Sequence, residues 1–271
     1  MAKPHRFETK GAVSRLLRSE AGVGDTSSFF LLTLAATVIC GVVVAANRSP
    51  SRAEGMARGF FLLAVALSLA ALVLVLAGTS GLVPENAAYA RWLRLLLFRG
   101  WLVIGMGVSS ALLALLSYVP GTRQTVGREA VRSFLASPYL LKGLCFSVSV
   151  SFFCVEIGKL SHDADMRQFF LQSGYSVAFM YFVMLAETAG AVGLFFPRTT
   201  LPAALGLIVL MMGAIRTHVH NRDPFSDSIE AVHLLILLAC IIVVRVLGGR
   251  MSPLRGSRSE NVTRPRAHAH G

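Results

Sequence analysis

Seven apolar runs, each about 18 residues or longer and so able to cross roughly 30 Å of hydrocarbon, constrain this chain more than any other feature. They cover Phe29–Ala46, Phe60–Val83, Trp101–Val119, Leu140–Gly158, Tyr175–Phe196, Leu201–Thr217 and Ile229–Leu247. In hydrocarbon no water can satisfy backbone N–H and C=O groups, so runs of this length must be helical. Only 15% of the 271 residues are charged and 54% are hydrophobic, whereas soluble domains carry about 25% charge. The expected fold is therefore an all-α integral membrane protein with about seven transmembrane helices, multi-pass in the cell membrane. Val44-Ala45-Ala46 loosely resembles a signal cleavage site, but the leader holds Glu8, Glu20 and Asp25. That chemistry suits a retained span better than a cleaved signal.

A formal net charge of +12 can point to nucleic acid, but here the basic residues are scattered through tails and loops. Lys3, Arg6, Lys10, Arg15 and Arg18 precede the first run, and Arg250, Arg255, Arg258, Arg264 and Arg266 follow the last. Flanking charge of this kind suits anionic headgroups and topology; the partner it implies is the lipid bilayer, with no nucleic acid. Lysine and arginine are nearly balanced between the two faces, which leaves orientation open. All four cysteines, Cys40, Cys145, Cys154 and Cys240, fall within apolar runs and none forms a C-x-x-C pair. They read as packing residues, not a redox centre. No G-x-G-x-x-G or P-loop pattern occurs, which argues against nucleotide-driven chemistry.

The chain divides into a polar basic tail (1–28), three transmembrane helices (29–119), a polar connector (120–139), four further helices (140–249) and a Ser/Arg/Pro/His-rich tail (250–271) expected to be disordered. Arg91, Arg94 and Arg99 alternate with Trp92 and leucines, which suits an interfacial amphipathic turn. In that last tail, His268 and His270 read as solvated. Ala186, Ala189, Gly190 and Gly193 in the fifth span, and Gly206 and Gly213 in the sixth, supply the small-residue spacing that lets membrane helices pack closely.

Ionisable residues at membrane depth are costly and tend to mark function, and Glu187 sits in the middle of the fifth run. Glu156, Lys159, His162, Asp163 and Asp165 close the preceding span; His218, His220, Asp223, Asp227, Glu230 and His233 surround the next-but-one loop. Alternating spans put both groups at the same face. Glu156 and Lys159, three apart, share a helix face and form either an interfacial ion pair or part of a ligand pocket. Arg216 or His220, if turned inward, could meet Glu187 or Glu230. Histidines on two helices, His218 or His220 with His233, could bind haem axially, or a divalent metal together with Asp223 or Glu230. A quinone requires less, one proton-exchanging histidine or carboxylate and an apolar cleft. Glu187 could instead be a carboxyl that only fixes helix packing.

The stretch from about residue 140 to 247 resembles the DoxX family of small four-helix membrane proteins. The residues that carry the likeness are Gly158-Lys159-Leu160 closing the first family helix, Phe169-Phe170 and Gly174 in the following loop, Glu187-Thr188-Ala189-Gly190-Ala191 with Gly193-Leu194 in the second helix, the Pro197-Arg198 turn, and His218 ending the third. The resemblance implies a polar pocket lined by Lys159, Glu187 and His218. It also implies a role beside a redox enzyme, as the membrane subunit of a quinone-linked oxidoreductase working with a second protein chain, or in assembly of other membrane proteins.

The leading reading is a membrane subunit that binds quinone or a similar lipid-soluble ligand, with Glu187 as proton acceptor and Lys159, His218, Glu156, Arg216, Glu230 and His233 as ligand-binding candidates. Haem or a divalent metal, held by His218, His220, Asp223 or His233, is the less favoured cofactor. Two alternatives stand beside it: a non-enzymatic scaffold or assembly factor for a redox partner, and a metal or small-solute transporter. Long internal repeats, common in transporters, are not evident.

Overall fold

The computed structural model describes residues 34, 35, 37–44, 49–80, 103–116 and 128–250. The two tails and the Arg91/Arg94/Arg99 turn lie outside the described residues. Residues 37–44 are helical. The remaining helices are α1 (Pro50–Thr79), α2 (Val103–Leu116), α3 (Arg128–Ala136), α4 (Pro138–Ser161), α5 (Asp163–Gln172), α6 (Val177–Gly193), α7 (Thr200–His220) and α8 (Phe225–Arg250), with no strand among the described residues.

Four of these, α1, α4, α7 and the Asp227–Leu247 part of α8, are long and apolar enough to cross a membrane; the bent pair α5–α6 makes a fifth if it is one span. Of the seven expected spans, four or five stand among the described residues. The first and third apolar runs are described only in part, the third as α2. α6 has 17 residues, about 26 Å of rise, because the run read as Tyr175–Phe196 includes two non-helical residues at its start and a tight turn at its end.

The helix ends follow local chemistry. Pro50 and Pro138 open α1 and α4 at the first turn, where a missing N–H costs nothing. Ser176 Oγ accepts from Phe179 N at 3.2 Å and caps α6. The Phe169-Phe170 pair, expected in a loop, lies in α5. That helix stops at Gly174, whose φ of +83° lets Tyr175 N donate back to Phe170 O at 2.9 Å and Gly174 N to Leu171 O at 3.1 Å. α7 ends in the same way, with Arg222 at φ 56° in the place glycine usually takes; Asp223 N donates to His218 O at 3.0 Å and Arg222 N to Val219 O at 3.2 Å.

The polar connector holds a helix, α3, whose Ala130, Val131, Phe134 and Leu135 are buried against the bundle. α1 lies along α4 more extensively than any other described helix pair. The reason is side-chain size. α1 presents Ala53, Ala57, Ala64, Ser68 and Ala71 on one buried face around Phe60, and α4 meets it with Gly143, where an added Cβ would stand 3.0 Å from the Phe60 ring. Small residues let the backbones approach where no hydrophobic drive pulls helices together. Ser68 Oγ donates to Ser147 Oγ at 3.2 Å across the same contact.

α6 and α7 meet through Gly190, which faces Leu207, and Gly193, which faces Ala203. Gly206 and Gly213 depart from expectation, because a Cβ at either would meet nothing within 4 Å. α7 turns Ala203, Ala204, Leu207 and Met211 inward, and its glycines fall on the outer side. Gly206→Ala and Gly213→Ala are expected to leave stability unchanged or raise it by up to about 1 kcal/mol, the helix-propensity difference between the two residues. Thermal unfolding in detergent measures this, and loss of folded protein from either change would contradict the packing.

Candidate functional site

α4 ends at Ser161 opposite the middle of α6. Lys159 stands two residues before that end, and Glu187 lies ten residues into α6, about 15 Å along its axis. From Ser161 the chain passes into α5, bent by 115° from α6. Tyr181 fastens it there: Arg167 Nη2 donates to Tyr181 Oη at 2.7 Å, and Tyr181 Oη donates to Asp163 Oδ1 at 2.8 Å. Arg167 Nε also pairs with Asp163 Oδ2 at 2.7 Å. Deeper along α4, Ser149 Oγ donates to Ala191 O at 2.8 Å and binds the helix to α6.

Between these two fastenings lies a three-residue charged cluster. Lys159 Nζ donates to Glu156 Oε1 at 2.7 Å and to Glu187 Oε2 on the facing helix. The side chains are 8% exposed for Glu156, 4% for Glu187 and 17% for Lys159, so both carboxyls are buried and the ammonium keeps a narrow access. The second oxygen of Glu156, Oε2, is buried without a hydrogen-bond partner. Buried polar atoms are nearly always satisfied, so an orphan of this kind calls for an explanation. Lysine has three N–H donors, and the two carboxyls take two of them. The cluster therefore offers one unused lysine donor and, at Glu156 Oε2, a fully buried carboxyl oxygen that no donor reaches.

Of the residues singled out in the sequence, this brings together Glu156, Lys159 and Glu187. Lysine does not simply reach to water beside Glu156; it bridges two helices. Arg216, His220 and Glu230 are exposed, and His233 is partly buried on α8. His218 is held elsewhere. The backbone turn after α7 carries Asp223 back over it, and His218 Nδ1 lies 2.9 Å from Asp223 Oδ2, while its ring packs against Phe169 with centroids 5.6 Å apart. Among the described residues no three His, Cys, Asp or Glu side chains converge in a way that could hold a metal ion. His218 and Asp223 thus meet as a pair, without His220 or His233 completing a ligand set. Sequence reasoning missed Tyr181, whose only signal was a hydroxyl-bearing ring in an apolar run one turn and a half before Glu187.

The model of the DoxX-like family matches residues 144–242. The C-terminal part of this chain is DoxX-like. All three residues of the charged cluster fall inside the DoxX-like part, as do His218 and Asp223, whereas α1, α2 and α3 lie outside it. The apolar helices and the DoxX-like match together identify a multi-pass integral membrane protein. No curated protein and no solved structure matches the chain.

Proposed function

We propose that this protein is a membrane subunit that binds a quinone, or a lipid-soluble ligand of the same chemistry, in a redox process, and that the ligand head sits at Glu156, Lys159 and Glu187. The observation that carries the reading is the buried cluster with its unpartnered Glu156 Oε2 and its unused lysine donor. A packing device would satisfy all of its own hydrogen bonds. A ligand site is left incomplete until the ligand arrives. In this reading Lys159 holds a ligand oxygen through its free N–H, and a carboxyl exchanges a proton with that oxygen. Reduction of a quinone to the quinol takes up two electrons and two protons. The electrons would come from a second protein chain, a redox partner, since this chain contributes helices and carboxyls. The DoxX-like likeness supports that assignment only by analogy of fold.

The scaffold reading has less support, because the small-residue face of α6 at Gly190 and Gly193, which could dock a partner, is filled by Leu207 and Ala203 of the same chain. The transporter reading has less support from its His/Asp cluster: His218 meets Asp223, and among the described residues no three His, Cys, Asp or Glu side chains converge to hold a metal ion.

The test is to purify the chain in mild detergent and measure the quinones that co-extract from wild type and from Glu187→Gln. The substitution leaves Lys159 and Glu156 as a neutral pair, so the variant should express and fold. Wild type should retain quinone, and the variant should retain about tenfold less, one charged hydrogen bond's worth. Equal retention by the two, or a wild type free of quinone that brings down another membrane protein, would overturn the reading.

A further inference from the structure

Two carboxyls surround one ammonium in the cluster, and this sets a charge count that the geometry can assign to particular atoms. With all three groups ionised the site carries a net charge of −1 inside the membrane, where an uncompensated charge is among the most unfavourable states available. It becomes neutral when one carboxyl holds a proton. Lys159 Nζ donates to Oε2 of Glu187 and to Oε1 of Glu156, so neither of those oxygens is the place for the proton. That leaves Glu187 Oε1 and Glu156 Oε2, and of these two it is Glu156 Oε2 that is fully buried with no donor on it.

We infer that Glu156, and not Glu187, is the proton-exchanging carboxyl of this protein, holding its proton on Oε2, while Glu187 serves as the fixed anionic partner of Lys159. The proton then sits on the buried oxygen of the cluster that no donor reaches, beside Lys159, whose side chain is 17% exposed at the same end of α4. Hand-over to a ligand breaks the Oε2–H bond and forms an O–H bond on the ligand oxygen, leaving Glu156 ionised. That last step rests on the ligand reading above; the location of the proton does not. Glu156 and Lys159 on α4 and Glu187 on α6 are the charged groups that meet here.

Infrared spectroscopy of the full chain in detergent at neutral pH tests this, because exposed carboxylates are ionised there and a buried protonated carboxyl gives its own C=O stretching band. The wild type should show such a band. Glu156→Asp should shift it and Glu187→Asp should leave it in place. Glu187→Gln should abolish it, because Lys159 and an ionised Glu156 are then already neutral. The inference fails if the wild type has no such band, if the band follows Glu187→Asp, or if it persists in Glu187→Gln. Quinone retention is read on separate samples. A shifted band without bound quinone therefore overturns the ligand reading alone, and retained quinone without the band overturns the proton assignment alone.

Discussion

Lys159→Met should lower the stability of the folded protein by about 3–5 kcal/mol, the loss expected when one member of a buried charged group is removed and its partners are stranded. Glu156 and Glu187, both almost fully buried, would then face each other across α4 and α6 with no cation between them. Methionine matches the length of the lysine stem, so the change removes charge with little change in packing. The physical cause predicts its own rescue. Adding Glu156→Gln and Glu187→Gln to Lys159→Met removes the stranded charge, and neutral replacements of buried ion clusters are often tolerated. The triple variant should recover most of the lost stability in a detergent unfolding series while still failing to retain ligand. If Lys159→Met alone unfolds no more readily than wild type, the lysine reaches solvent and the cluster is not the buried unit described.

Gly190→Leu should disrupt the bundle comparably. A Cβ at position 190 would stand 2.6 Å from Leu207 Cδ2 and 2.7 Å from its Cγ, closer than real Cβ contacts, and Leu207 is itself buried. Even Gly190→Ala forces a shift, with an expected cost of about 1–3 kcal/mol for overpacking. Leucine has no room unless α6 and α7 part. Gly193, with Ala203 Cβ 2.9 Å from its own absent Cβ, lies one turn further along the same seam and blocks a local adjustment. Because α6 carries Glu187, a displaced helix should also lose the Lys159 contact and the bound ligand with it. Combining Gly190→Ala with Leu207→Ala opens the space that the single change lacks. The pair should be less damaging than the sum of its parts, read as a coupling energy of opposite sign in a double-mutant cycle. Additive losses would mean that Gly190 does not pack on Leu207.

The membrane class of this fold was legible from run length alone, and the helix ends were legible wherever a residue has one strong local preference, as at Pro50, Pro138 and Gly174. The bounds of α6 were not, because run length does not register a cap or a turn. Tyr175–Phe196 looks like one uninterrupted span, yet Ser176 caps a helix that starts one residue later, and α5 runs off at an angle before it. Small-residue spacing was also ambiguous. It is the same pattern at Gly190 and Gly193 as at Gly206 and Gly213, and only the rotation of α7 about its axis decides which pair meets a neighbour. Each member of the charged cluster was visible as a costly residue at depth. Their convergence was hidden, since residue spacing joins Glu156 to Lys159 within one helix and carries no information on what Glu187, 28 residues away from Lys159, faces across the gap. His218 shows the reverse: a backbone turn with Arg222 in a left-handed conformation, invisible in composition, takes it to Asp223.

The most direct measurement is photolabelling of the full chain with an azido-quinone, followed by peptide mapping. The account predicts label on the end of α4 around Glu156 to Leu160 and on α6 around Met184 to Ala191, competed by unlabelled quinone and lost in Glu187→Gln. Label spread over the lipid-facing side chains of α6 and α7, with no competition, would contradict a ligand site at the Glu156–Lys159–Glu187 cluster.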